Sequence, residues 1–440
     1  MSETRSIERL NADCTCLTLD REKLCRAFDE VVGDPMFCSA MAQTHPHLLS
    51  AQPVFLSHLH ADSMQELIAA IETVILHPAF QSAVLSYAPD IARYESGAVG
   101  VFMGYDFHLG PSGPKLIEIN TNAGGALINA YLLQAQDTCC AEMQIAEAAS
   151  VETNALLDDF IASFQSEWRK QQRTAPLQSI AIVDAAPSGQ YLYPEFVLFQ
   201  RLIGRHGIKA VIAAPEQLEL RTEGLWVGDQ RIDLVYNRLT DFDFSTANTL
   251  ALRRAYLNGE VVVTPNPRAH ALFANKRNLT LLSDAAKLSE WGIPSSLIAV
   301  LVAGIPRTEL VASADPEELW ARRGNLFFKP CSGYGGKATY RGDKVTRKVW
   351  SAILSGDYIA QEVVPPSARS VAIARVVQSM KVDFRNYTYD GKVLLRAARI
   401  YQGQTTNFRS PGGGFSPVFV TASTANANET ENPRCPGSPR

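Results

Sequence analysis

The stretch 63–75 carries Met64, Leu67, Ile68, Ile71, Val74 and Ile75 at three- and four-residue intervals. That spacing predicts an amphipathic helix, and residues 1 to about 95 around it read as a mostly helical region. The pattern then changes to short apolar runs. The runs through 101–108 and 115–120, separated by Gly110-Pro-Ser-Gly-Pro114, predict a β-hairpin. A further helix is expected through 137–164. From residue 179 the runs alternate: an apolar stretch over 179–184, a helix through 196–206, then apolar stretches over 207–215 and 232–238. Strands alternating with helices predict a parallel sheet that places ligands at the carboxyl ends of its strands. Asn237 and Arg238 fall at such an end, where a strand cap and a substrate contact are equally open readings.

Two more apolar runs follow, at 325–330 and 357–364, the second ending in Pro365-Pro366. Alternating runs over 380–389 and 393–400 flank Asp390-Gly-Lys392, a strong hairpin signal. Alternation places Asp383 and Arg385 on one face and puts Arg396 and Arg399 on opposite faces, so one of the latter pair is expected to face a site. Residues 421–440 are rich in Ala, Thr, Asn and Pro and are expected to be disordered.

Candidate chemistry sits on these elements. Glu118 and Asn120, two apart on a strand, project to the same face. Asp106 lies twelve residues earlier, on the other arm of the hairpin. Three hard oxygen ligands would suit Mg²⁺ held together with substrate phosphates. For Glu-x-Asn alone an ordinary solvated hairpin is the better reading; Asp106 at this separation is what makes the metal reading worth pursuing. The segment Lys329-Pro-Cys-Ser-Gly-Tyr-Gly-Gly-Lys337 brings a lysine on a strand into a glycine-rich loop. Such loops let backbone N–H groups approach an anion, and a lysine adds compact positive charge. The segment lacks the Gly-Lys-Ser/Thr of a Walker loop. No His-Arg-Asp or Asp-Phe-Gly of a protein kinase follows. The apolar run ending at Val364 offers backbone amides to an adenine edge. His58-x-His60 has no third ligand at a fixed offset and reads as a cap or packing element. The segment 184–189 lacks the glycine fingerprint of a dinucleotide site.

Composition narrows the class. The 440 residues are too many for one core and imply two or three subdomains. With 46% hydrophobic and 20% charged residues and a net charge of -4, no basic footprint for nucleic acid or membrane is present. The first thirty residues lack a signal-peptide core, and no run is long enough to span a bilayer. Eight cysteines without a framework of spacings, Cys14-x-Cys16 and Cys139-Cys140 included, read as free thiols in a reducing compartment. A cytoplasmic protein is the expectation.

Lys276, Lys329 with Ser332 to Lys337, Gln361 to Val364, Asp383 with Arg385, and Asn407 with Gly412–Gly414 occur in an order that resembles the ATP-grasp superfamily. The resemblance covers roughly 95–130 and 179–418. The family's closing Asp…Glu-x-Asn step is missing at the C-terminus and stands instead near the N-terminus, as Asp106…Glu118-x-Asn120. That looks like a circular permutation, as in eukaryotic glutathione synthetase and glutathionylspermidine synthetase-like proteins. The 118–125 segment is similar to the form seen in D-alanine–D-alanine ligases.

The resemblance implies a mixed α+β and α/β fold in defined units. These are a helical region at 1–95, a permuted metal hairpin at 96–150 and a Rossmann-like domain at 176–270. A small ATP-grasp subdomain with its lid at 271–365 and the remaining large subdomain at 366–420 complete it, with a tail at 421–440. It implies ATP and Mg²⁺ as cofactors, and small carboxylate and amine substrates joined through an acylphosphate. Asp106, Glu118 and Asn120 would hold the metal. Lys276, Lys329, Ser332, Gly333, Gly335, Gly336 and Lys337 would hold the phosphates, and Gln361, Glu362, Val363 and Val364 the adenine. Arg385, Arg399 and Asn407 would stabilise the transferring phosphoryl group or the oxyanion, and Asn237, Arg238 and the 120–130 turn would line the acceptor pocket. A phosphotransferase using the same clamp, and a nucleotide-binding protein without turnover, remain as alternatives.

Overall fold

In the computed structural model of the chain, residues 3–16, 18–137, 153–333, 335–374 and 376–421 are described. The expected tail over 422–440, the 138–152 part of the expected 137–164 helix, and Cys139-Cys140 lie outside them. Among the described residues the helix here is Thr153–Lys170.

The main sheet has seven strands. Their order is Val54–Ser57, Gly414–Thr421, Lys392–Tyr401, Val376–Tyr389, Met103–Gly110, Gly113–Asn120, with Ser367–Ile373 also paired to Val376–Tyr389. Only the first pairing is parallel. Val376–Tyr389 is long enough to take two partners on one edge: Ser367–Ile373 along 376–382 and the Met103–Gly110 arm along 384–388. The N-terminal hairpin is thus stitched into strands nearly 280 residues away. The Asp390-Gly391 turn has positive φ at both residues (49° and 74°), which suits a tight two-residue hairpin.

Alternation makes this sheet two-faced. Tyr105, Phe107, Val382, Phe384, Ala398 and Ile400 point into one apolar core, shared with Met64, Leu67, Ile68, Ile71 and Val74 of the helix His58–Ile75. That helix starts five residues before the periodic stretch, because the Ser57 hydroxyl accepts the His60 N–H at 3.2 Å and caps it. His58 and His60 occupy its first turn.

A second sheet is parallel, in the order Val262–Thr264, Leu234–Asn237, Ser179–Val183, Lys209–Ala213. The helix Tyr193–Arg205 makes the crossover between its two first strands in the chain. A small antiparallel sheet of Thr308–Leu310, Tyr358–Glu362, Leu326–Pro330 and Tyr340–Arg341 carries the glycine-rich segment between its last two strands. A three-stranded meander at 218–232 was not foreseen from the sequence.

The expectation of eight free thiols is corrected: Cys25 and Cys38 form a disulfide. They lie on the consecutive helices Arg21–Val32 and Phe37–Thr44, whose fold-back brings their Cα atoms to 5.1 Å. A separation of thirteen residues has no diagnostic spacing, so only the helix–helix packing reveals the pair. Among the described residues no single helix is long and apolar enough to cross a membrane.

One acid on the buried face has a measurable consequence. Glu72 accepts the Tyr105 hydroxyl at 2.7 Å, and burial pushes its carboxyl up to about 7. A raised folded-state value means that the folded protein binds the extra proton between about 4.5 and 7, so stability falls as pH rises through that window. A shift of this size corresponds to roughly 3 kcal/mol. Glu72→Gln, which keeps the acceptor for Tyr105, should flatten that slope and raise neutral-pH stability, as read from denaturant melts at pH 5 and pH 8.

Candidate active site

Register assembles the charged face of the main sheet. Asp106 stands opposite Arg385 on one side and Glu118 on the other, and Asp383 stands opposite Arg399. A register shift after Asp106 places Glu118 opposite Asp106 and Leu116 opposite Phe107, leaving Ile117 as a bulge. The Ile117 carbonyl is thereby free to accept Lys329 Nζ at 2.9 Å. Gly104 leaves room for Arg385, whose Nε would lie 3.0 Å from any added Cβ.

Asp106 is fully buried. Its Oδ1 accepts Arg385 Nε at 2.6 Å; its Oδ2 accepts Arg385 Nη2 at 2.6 Å, Arg399 Nη2 at 2.9 Å and Asn120 Nδ2 at 3.0 Å. Arg399 Nε binds Asp383 Oδ1 at 2.7 Å, and the Thr406 hydroxyl donates to Asp383 Oδ2. Arg396, on the opposite face, turns away to Gln65. Both Asp106 oxygens are therefore engaged by guanidinium groups. Asn120 Nδ2 lies 3.0 Å from Asp106 Oδ2 and 3.1 Å from Glu118 Oε1, so the three expected metal ligands stand side by side, and the guanidinium pairing gives Asp106 a positioning task as well.

Glu118 and Asn120 keep oxygens that suit a metal ion. Asn120 Nδ2 donates to Asp106 and to Glu118 Oε1 at 3.1 Å, so its Oδ1 remains available as a ligand. Burial pushes the Glu118 carboxyl up, but Lys276, Lys329, Asn120 and Arg399 outweigh it and hold the group well below the usual carboxylate range. Lys276 Nζ lies 3.6 Å from Glu118 Oε2 and donates to the Gly333 carbonyl at 3.2 Å. Lys329 Nζ also donates to Gln361 Oε1 at 2.7 Å, and burial pushes its ammonium down to about 8. Gln361 Nε2 continues to Thr308 Oγ1 at 3.2 Å. Among the described residues no cluster of three His, Cys, Asp or Glu side chains is poised for a metal.

Other expected positions fare differently. Ser332, Gly335, Gly336 and Lys337 are exposed, while Gly333 is half-buried. A side chain at Gly336 would press on Thr405 at 3.4 Å, so the glycine-rich loop meets the loop over 402–413. Asn407 sits in that second loop, where Nδ2 donates to the Gln402 and Thr405 carbonyls and Oδ1 accepts Arg409 N–H and Ser410 Oγ. Its side chain shapes the loop, and its neighbour Thr406 is the residue that reaches the charged network. Of the amides near the expected adenine edge, those of Glu362 and Val363 are engaged by the Arg307 and Asn325 carbonyls. Asn237 is held by Pro265 O and Leu239 N. The Gly125 and Leu127 amides, which open the helix Ala126–Gln134, are taken by the buried Glu195 carboxylate at 2.8 and 3.0 Å. Arg238 is buried beside them, and its Nε has no hydrogen-bond partner among the described residues.

Sequence reasoning missed His108 and Thr406. His108 lies two residues beyond Asp106 on the same face, and its Nδ1 is 2.7 Å from the Val364 carbonyl. Period-two counting from Asp106 would have found it; Thr406 carried no such signal.

No protein-family model matches the chain, and no curated protein matches it. Solved structures do. A glutathione synthetase-like effector from Globodera pallida, solved in its apo form, matches at a TM-score of 0.55 and 11% identity over 92% of this chain and 99% of its own. A putative gamma-glutamylcysteine synthetase from Methylobacillus flagellatus aligns at 0.47 and 12%, over 88% of this chain and 92% of its own. The ATP-grasp ligase PsnB, complexed with minimal precursor, Mg and ADP, aligns at 0.28 and 15%, over 56% and 90%. The chain has an ATP-grasp-type fold.

The positioning task of Asp106 is testable. Removing its charge would leave the buried Arg385 guanidinium without its anion and Arg399 with Asp383 alone, a loss of about 3–5 kcal/mol. Asp106→Asn should therefore lower stability by that order even in metal-free buffer. Urea melts with and without Mg²⁺ measure the difference.

Proposed function

We propose that the chain is an ATP- and Mg²⁺-dependent carboxylate–amine ligase, acting on small substrates through an acylphosphate, built on a circularly permuted ATP-grasp fold. One observation carries this reading. Glu118 and Asn120 from the hairpin, Lys276 and Lys329 from the 271–365 unit, and Arg385 and Arg399 from the 366–420 unit are linked by direct contacts around one charged face. The acid–amide pair, which the family carries at its C-terminal end, reaches that face because the other arm of its hairpin, Met103–Gly110, pairs with Val376–Tyr389. The likeness to the Globodera pallida effector supports the same architecture. The parallel sheet at 179–264 would be the Rossmann-like unit preceding the clamp.

Each residue has a physical task. Lys276 and Lys329 neutralise phosphate oxygens at a point where few waters compete. A Mg²⁺ ion would be held by the Glu118 carboxylate and the Asn120 Oδ1 beside Asp106, and would supply positive charge against the phosphates. Val364 N–H and the carbonyls of 362–363 are left to read the adenine edge. The Gly333–Gly336 loop covers the phosphates against the 402–413 loop. With Nε and Nη2 of both arginines engaged by carboxylates, Nη1 is the nitrogen each has left for a substrate oxygen. A substrate carboxylate oxygen attacks the γ-phosphorus as ADP leaves. The amine then attacks the acyl carbon, phosphate leaves, and the amine proton passes to solvent. Arg385 and Arg399, pre-set by Asp106 and Asp383, meet the negative charge that develops in both steps. Arg238, buried at the end of its strand, is the acceptor-side cation available to a substrate carboxylate.

The deciding assay is ADP release in the presence of amino acids, short peptides and polyamines. Release that requires both an acid and an amine supports the ligase. Release with a single acceptor that lacks a carboxylate would point to a phosphotransferase instead. In the same assay Glu118→Gln should keep the fold and lose most turnover at saturating Mg²⁺, and near wild-type turnover would remove Glu118 from the metal. Lys329→Ala should weaken ATP by about 1.5–3 kcal/mol and adenosine far less, by calorimetry.

A further inference from the structure

Lys276 makes two contacts with one ammonium group: Glu118 Oε2 at 3.6 Å and the Gly333 carbonyl at 3.2 Å. Its side chain is only 8% exposed, so water does little to dilute its charge. Around Glu118 the cations are Lys276, Lys329, Arg385 and Arg399; the carboxylates are Glu118 itself, Asp106 and Asp383. Both aspartates are already matched to guanidinium groups, so Glu118 faces two lysines with no spare anion beside it. A divalent cation at its usual distance of about 2.0–2.1 Å from a carboxylate oxygen would stand next to Lys276 in a poorly screened cleft. Like charges at that spacing exclude each other.

We propose that Lys276 is a latch that keeps a divalent cation off Glu118 until a polyphosphate binds and draws the lysine away. The inference rests on the nucleotide-and-metal reading of this cleft, and adds an order of events to it. A nucleoside triphosphate brings enough negative charge to reverse the sign of the local field. Once its ammonium turns to phosphate, Lys276 releases two things together: the Glu118 oxygen for the metal, and the Gly333 carbonyl at the start of the glycine-rich loop. Metal binding and loop closure are then coupled to nucleotide through one side chain. By linkage, the nucleotide must raise metal affinity by the same factor that metal raises nucleotide affinity.

The test uses no turnover. Mn²⁺ is titrated into the full chain without nucleotide and followed by electron paramagnetic resonance, while amide hydrogen exchange is read over 332–339. Wild type should hold Mn²⁺ only weakly. Lys276→Met, or Lys276→Gln if the first folds poorly, should bind it at least tenfold tighter, with faster exchange in the loop. Adding Glu118→Gln to either variant should abolish the gain. A non-hydrolysable ATP analogue should tighten Mn²⁺ binding to wild type and have a smaller effect on the lysine variant. Equal Mn²⁺ affinity in wild type and variant, or a gain that survives Glu118→Gln, would overturn the latch. Absence of acid- and amine-dependent ADP release would overturn the ligase reading alone, because the Mn²⁺ titration does not depend on it.

Discussion

The Asp106 carboxylate holds the charged face together. It lies on the N-terminal hairpin, yet both its oxygens are bound by arginines from the far end of the chain. A fully buried carboxylate is costly unless it is paired and hydrogen-bonded, and so are two buried guanidinium groups. Each makes the other tolerable. The network sets the register of the hairpin against Val376–Tyr389, and through Asp383 and Thr406 it extends into the loop over 402–413. Slipping the hairpin by one residue would turn Asp106 into the apolar core and Tyr105 or Phe107 toward the charges.

Around that anchor, the backbone supplies details that side chains alone could not. The bulge at Ile117 gives Lys329 a carbonyl to hold and keeps Glu118 level with Asp106. The helix N-terminus after the Gly124-Gly125 turn would ordinarily be an anion site. Here Glu195, reaching across from the helix Tyr193–Arg205, fills it. The 120–130 turn is therefore a joint between two units. Burial pushes the Glu195 carboxyl up, while Arg238 and the helix amides oppose it.

The same economy of donors separates two kinds of residue. Lys276 and Lys329 hold only carbonyls, an amide oxygen and one carboxylate, weak partners that a phosphate could displace. Asp106, Asn407 and Asn237 are tied into dense local bonding. The first set suits ligand exchange; the second suits positioning.

Much of this was legible along the chain. The 3.6-residue period at 63–75, the alternation at 179–238, the Asp390-Gly391 turn, and the shared face of Glu118 and Asn120 are all local regularities. They were readable because each depends on neighbours within a few residues. The order of the motifs also pointed to the ATP-grasp-type fold. Tertiary structure alone decided the partners. Asp106 reads only as a metal ligand in sequence because carboxylate chemistry is the same whichever cation it meets. Only the strand register shows that it also meets Arg385 and Arg399. Asn407 and Thr406 are adjacent polar residues, and loop geometry, not side-chain chemistry, decides which of them touches Asp383. Cys25 and Cys38 pair because two helices fold back on one another. Local pattern sets which elements form and which face each residue takes; long-range pairing, invisible to any window of sequence, sets which charges share a buried space.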